Sequence, residues 1–188
     1  RTTMSTAAAA EATVSTWKVD PAHTNAHFKV KHMMISNVKG EFTSVTGSLE
    51  YNEADISKSK VEATIDANSI NTRDAQRDGH LKSADFFDVE KYPTLAFRST
   101  GIQSNGGGDY TVTGELTLHG VTKTVAFDVN DLTAPAKDPW GNIRIGLEAT
   151  AKINRKDFGL VWNAALETGG VLVGDEVQIT LDAEFVKG

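Results

Sequence analysis

"IRIGLEATAKI", residues 143–153, decides the fold. Ile143, Ile145, Leu147, Ala149, Ala151 and Ile153 take every second position, and Arg144, Gly146, Glu148, Thr150 and Lys152 fill the gaps. Side chains of a strand point alternately to opposite faces, so this pattern predicts a strand with one apolar and one wet face.

The same period recurs on both sides of that run. Phe28, Val30 and His32 share a face, opposite His27, Lys29 and Lys31. Gly47, Leu49 and Tyr51 follow after an irregularity at Gly40 and Glu41. Next come Val61, Ala63, Ile65 and Ala67, then Leu95, Phe97 and Ser99. Val112, Gly114, Leu116 and Leu118 precede Val125, Phe127 and Val129, while Val177, Ile179, Leu181, Ala183 and Phe185 close the chain. These runs predict eight strands, most about ten residues long, each spanning roughly 30 Å. Turn signals separate them: "SNGGGD" at 104–109, "HG" at 119–120, "KDPWGN" at 137–142 and "ETGG" at 167–170. Short turns join antiparallel neighbours. One-sided strands suit a sandwich or a barrel, but long strands in meander order favour a closed barrel, which leaves no free edge. The expectation is an all-β fold, an eight-stranded antiparallel up-and-down barrel.

The 188 residues, 39% hydrophobic and 23% charged, make one soluble domain with a sizeable core. A formal net charge of -6 argues against nucleic acid as a partner, since phosphate binding wants a basic face. No apolar run approaches the ~18 residues of a membrane-spanning helix. The absence of cysteine excludes disulfides, thiolate metal sites and cysteine catalysis. Residues 1–16 are small and polar and read as a flexible tail, leaving 17–188 as the domain. They lack the basic-then-apolar build of a signal peptide. With Arg1 to Thr3 ahead of Met4, the chain reads as cytoplasmic, or as periplasmic if a leader was removed.

Ala63, Ala67, Gly114, Ala149, Ala151 and Ala183 all fall on the apolar face. An eight-stranded barrel either fills its interior with side chains or holds one small ligand. Small inward residues leave room for a ligand; equally, they can pack beneath Phe28, Phe97, Phe127 and Ile145.

The stretch "TRDAQRDGHLKSADFFDVEKYP", residues 72–93, breaks the alternation. Asn71 or Thr72 can cap a short helix there, weakened in its middle by Gly79. Ala75, His80 and Leu81 make a thin apolar stripe, so such a helix must lie across something. Phe86 and Phe87 need apolar surface to cover, and a barrel mouth offers it. The segment therefore reads as a lid near one end, with a plain cap of core aromatics as the alternative.

On these residues the chain resembles the YceI-like family of lipocalin-like polyisoprenoid-binding proteins. The resemblance is carried by "NSINTRDAQRDGHLKSADFFDVEKYP" (68–93), "GELTLHGVTKTV" (114–125), "KINRKDFGLVWN" (152–163) and "GGVLVGDEVQITLDAEF" (169–185), with "WKVDPAHTNAHFKVKH" (17–32) at the start. It runs from Trp17 to Val186. It implies a lipocalin-like, extended barrel with a helix near one end and a hydrophobic pore. The pore would hold a long-chain isoprenoid lipid, such as a polyprenyl quinone, for carriage, storage or stress response. No enzymatic activity is implied, and no cofactor beyond the bound lipid. A homodimer is compatible with this reading.

Under that implication, Phe28, Val30, Leu49, Ile65, Leu95, Phe97, Leu116, Leu118, Phe127, Ile145 and Leu147 are expected to line the pore. Leu81 of the lid is expected to join them, and Phe86, Phe87, Phe158 and Trp162 to guard an end. Plain core packing is the alternative for each. Tyr51, His32 and Arg155 are the polar candidates for a head group. Arg155 would face a ligand carbonyl or phosphate, or else pair with Asp157 or Asp85, because an inward charge is costly unless paired. Arg73, Asp74, Arg77, Asp78 and His80 would bind a head group or clamp the helix to the barrel. His23 and His27 face away from His32 by parity, so no metal site is expected. Asp85, Asp88 and Glu90 read as caps and solvated charges. An isoprenoid-modifying enzyme, or a structural or stress-interaction protein without lipid, are the competing functions.

Overall fold

The chain is described by a computed structural model over residues 14–166 and 170–188. Its strands are β1 (Val14–Val19), β2 (Asn25–His32), β3 (Ser36–Phe42), β4 (Val45–Asn52), β5 (Lys60–Asp66) and β6 (Ile70–Asn71). They continue as β7 (Thr94–Gly106), β8 (Asp109–Leu118), β9 (Val121–Asn130), β10 (Ala136–Lys137), β11 (Ile143–Asn154) and β12 (Val173–Lys187). The helix α1 (Ala75–Lys82) lies between β6 and β7. None of the described helices is long and apolar enough to cross a membrane.

These segments build a closed barrel of eight antiparallel strands, because three of the eight are broken by bends. β1 and β2 pair with successive parts of one edge of β12. β3 and β4 pair with β2 and β1 in turn. β6 prolongs β5 and pairs with β3. Each strand pairs with the next in the chain, and β12 closes the ring against β11 and β1. β10 is a two-residue addition outside β11.

The bend between β1 and β2 has a local cause. Pro21 brings no amide proton to the ladder, and the Asp20 carboxylate caps the single turn Pro21–His23 by accepting from the Ala22 amide at 3.0 Å. Thr24, fully buried, restores the lost pairing: its hydroxyl accepts from the Glu184 amide at 3.1 Å. β9 and β11 pair only over Asp128–Asn130 and Glu148–Thr150. The turn Arg155–Phe158 then packs in behind them, and His119, on the β8–β9 turn, donates to the Phe158 carbonyl at 3.0 Å.

Several expectations are corrected. Val14 to Thr16 belong to β1, paired with β4, and not to a tail; the rest of that tail lies outside the described residues. The break falls at Thr43–Ser44 and not at Gly40–Glu41. Gly40 stays in the ladder opposite Phe28, whose ring occupies the space a Cβ at Gly40 would need. The helix cap is Asp74, which accepts from the amides of Gln76 and Arg77, both at 3.1 Å. Asn71 and Thr72 are engaged elsewhere: Asn71 accepts from the Arg73 amide, and Thr72 receives Arg77. Most of "ETGG" lies outside the described residues; Ala165 and Val171 bridge on either side of it.

Candidate functional site

The barrel encloses a cavity of about 180 Å³. Its wall is apolar. Tyr51, Tyr110, Thr24, Ser59 and His27 are its polar members, and no Asp, Glu, Lys or Arg among the described residues lines it. The small inward residues divide into two groups. Ala63, Ala149 and Ala183 line the cavity and leave room. Ala67 and Ala151 are buried without lining it, and Gly114 is covered by Phe97, whose ring would lie 2.6 Å from a Cβ there. Phe97 meets Phe127 edge to face at 5.1 Å.

Phe28, Leu49, Tyr51, Ile65, Leu95, Phe97, Leu116, Leu118, Phe127 and Leu147 all border the cavity. Val30 and His32 do not: they lie further out on the β2–β3 hairpin, where Val30 sits between Val38 and Val177. Ile145, 1% exposed, packs in the core without reaching the cavity. Sequence reasoning missed Phe42, Ile102, Tyr110, Val112, Val129, Leu181 and Phe185 as lining. Tyr110, Val112, Val129, Leu181 and Phe185 share parity with residues already placed inward, so alternation could have found them. Ile102 follows a bulge at Ser99–Gly101, and Phe42 precedes the Thr43–Ser44 break; parity resets at both.

A line of rings leads from the cavity to the lid. Phe28 lies 5.7 Å from Phe42, and Phe87 stands edge-on to Phe42 at the same separation. Phe86 is in a second group, 5.1 Å from His80 and 5.4 Å from Trp162. Leu81 packs half-buried on the core, and Phe158 is 1% exposed within it. None of Leu81, Phe86, Phe87, Phe158 and Trp162 borders the cavity.

Arg155 is buried, and neither Asp157 nor Asp85 pairs with it. Its guanidinium donates to the carbonyls of Leu160 (2.6 Å), Gly174 (2.8 Å), Trp162 (2.9 Å) and Val173 (3.3 Å), with Asp175 3.9 Å away. Burial pulls its pKa down, and Asp175 opposes this. The partners are main-chain groups on segments close to the end of β11, so local acids were never needed. His32 is half-buried on the hairpin. Tyr51 borders the cavity, and burial raises its pKa, with Tyr110 and Glu53 adding to the shift.

The lid residues form a clamp centred on Thr72. Asp78 accepts from the Thr72 amide and hydroxyl, and Arg77 donates to the Thr72 hydroxyl at 2.8 Å and carbonyl at 2.7 Å. His80 meets Asp85 at 2.9 Å. Among the described residues, Asp20, His23 and Glu184 form a group of metal-ligand type. Arg144 already supplies a cation there, 2.6 Å from Asp20 and 3.5 Å from Glu184.

An eight-stranded barrel either fills its interior with side chains or leaves room for one small ligand, and this one leaves an apolar cavity. The chain belongs to the YceI-like family: the YceI-like domain matches residues 17–185. A UPF0312 protein of Staphylococcus aureus strain N315 is 38% identical over 167 residues, covering 88% of this chain and 94% of that protein. The solved YceI protein of Campylobacter jejuni is 31% identical, with a TM-score of 0.70 over 85% of this chain and 91% of its own. BcnA of Burkholderia cenocepacia is 26% identical, with a TM-score of 0.75 over 88% and 98%. A domain of Saccharophagus degradans, described as polyisoprenoid-binding, shares the fold at 17% identity and a TM-score of 0.65 over 92% and 98%.

Proposed function

We propose that this barrel binds a long-chain isoprenoid lipid, tail inward, as a carrier or store and not as an enzyme. The observation that carries the reading is the cavity wall: thirty residues' worth of strand and turn converge there without one carboxylate, lysine or arginine. An isoprenoid tail makes no hydrogen bonds and is recognised by burial alone, at roughly 0.8 kcal/mol per CH₂. A wall without carboxylates offers no acid pair for general acid–base work on a bound tail. The polyisoprenoid-binding name of the Saccharophagus domain supports the same class of ligand.

The cavity of about 180 Å³ is smaller than the roughly 300–1,000 Å³ of ordinary ligand pockets. A long tail therefore has to displace side chains, and the Phe97–Phe127 pair and Phe28 are among the bulky side chains that line the space. That displacement, with the ordering of the tail, offsets much of the burial energy, and affinity stays below the practical ceiling of about -20 kcal/mol. Tyr51 and Tyr110 are polar members of an otherwise apolar wall and are our candidates to meet an oxygen-bearing head group.

Titration of delipidated protein tests this. A polyprenyl quinone should bind at one per chain, more tightly than a straight-chain fatty acid. Equal affinity for both would remove the isoprenoid assignment.

A further inference from the structure

The outer part of the β2–β3 hairpin, from Lys29 to Lys39, lies beyond the cavity lining and carries a feature that ligand binding does not use. Its tip is Met33, Met34 and Ile35, exposed at 41%, 62% and 80%. Val171, 39% exposed, lies alongside, because the Met33 amide donates to the Leu172 carbonyl at 2.8 Å. Met33 and Met34 both hold positive φ, at 53° and 62°. That backbone region is costly for side chains and is normally given to Asn or Gly in hairpin turns. The tip thus combines positive-φ backbone with three large apolar side chains left partly in water, Met34 resting against Gly170, and neither serves the core.

Charge along the hairpin itself is equally one-sided. Residues 24–40 contain no Asp or Glu, in a chain that has 25 of them. The same stretch carries Lys29, Lys31 and Lys39. Lys29 sits opposite Lys39, so these two share the outer face of the hairpin, and Lys31 shares it by parity. No ion pair among the described residues involves any of the three. The nearby acids on β12 are engaged: Asp175 lies 3.3 Å from Lys156, and Glu176 3.9 Å from Lys152.

We propose that the β2–β3 hairpin is a membrane-docking arm, with Met33, Met34 and Ile35 entering an anionic bilayer surface under a collar of Lys29, Lys31 and Lys39. An apolar tip with a basic collar matches a bilayer interface in both respects: apolar side chains gain acyl surroundings, and lysines gain anionic head groups. The collar rules in an anionic surface for a protein whose net charge of -6 would otherwise be repelled by one. The arm projects beyond Phe28, at the end covered by the lid rings, so docking would turn that end of the barrel toward the lipid. The docking stands independently of what the interior binds.

Vesicle flotation tests it. The full chain should float with vesicles of equal parts phosphatidylcholine and phosphatidylglycerol, less with phosphatidylcholine alone, and less as salt is raised. Met34→Gly with Ile35→Ser should weaken flotation by about tenfold or more, since two apolar side chains no longer insert. That variant relieves strain at position 34, so its thermal midpoint should be unchanged or higher, which separates docking from unfolding. Lys29→Gln, Lys31→Gln and Lys39→Gln together should erase the preference for anionic vesicles. Failure of the wild-type chain to float, or flotation indifferent to the tip variant, would overturn the proposal. So would concentration-dependent dimerisation that the tip variant abolishes, since the tip would then be covered by a second copy.

Discussion

Arg155 ties the end of β11 to two other segments through main-chain carbonyls, and this makes it a structural cation. Replacing it with Met keeps most of the aliphatic stem and removes every donor. The carbonyls of Leu160, Trp162, Val173 and Gly174 then lose partners in a buried setting. Unsatisfied buried groups cost about 1–3 kcal/mol each, partly recovered by water and relaxation, so Arg155→Met should lose on the order of 3 kcal/mol in urea unfolding. Arg155→Lys should recover little, because one ammonium cannot reach carbonyls on both sides of the planar fork. A loss under about 1 kcal/mol would mean that the carbonyls find other donors. Ala149 has room where Arg155 has none. It lines the cavity opposite Val129, so Ala149→Phe adds bulk where there is space and should leave the fold intact while lowering lipid occupancy. A variant that unfolds would instead make that region packed core.

Two elements carry their own predictions. In the lid, Phe87 is half-buried against Phe42, whereas Phe86 is 7% exposed between His80 and Trp162. Phe87→Ala should cost about 1–2 kcal/mol, below the ~3–5 of a packed core phenylalanine, and should speed lipid escape in stopped-flow measurements. Phe86→Ala should cost more stability. An unchanged off-rate for Phe87→Ala would remove the gating role from the ring line. At the seam where β1, β11 and β12 meet, His23 and then Arg144 lower the Asp20 carboxyl from an ordinary 3.8 to about 2. A depressed carboxyl pKa stabilises above the unfolded value and loses that contribution as pH falls toward 2. His23 is raised above 6.5 by Asp20, so its contribution is present at lower pH and is lost as pH rises through the raised value. Urea midpoints measured against pH should therefore fall on both sides of a mildly acidic maximum. Asp20→Asn should flatten both flanks, and an unaltered profile would contradict the linkage.

At the scale of the molecule, the barrel was legible because its signal is local. Strand alternation repeats within a few residues, and "IRIGLEATAKI" is β11 almost residue for residue. The bends were not legible. Thr43 and Ser44 look like strand residues, and the break there depends on β3 and β4 facing different partners around the ring. Arg155 misled for a related reason: parity assigned a direction, but the strand ends at Asn154 and the chain turns before the parity applies. The lid motif announced a capped helix over aromatics, while its cap moved to Asp74 because Thr72 is the anchor for Arg77 and Asp78. The site was legible where alternation was unbroken and hidden beside bulges and bends.

The central claim is that the uncharged interior holds an isoprenoid tail. Protein purified from its own cells should be extracted with organic solvent and the extract analysed by mass spectrometry, with Ala149→Phe processed in parallel. The wild-type protein should yield an isoprenoid lipid near one per chain, and the variant markedly less. Fatty acids alone, no lipid, or equal isoprenoid recovery from both proteins would contradict it.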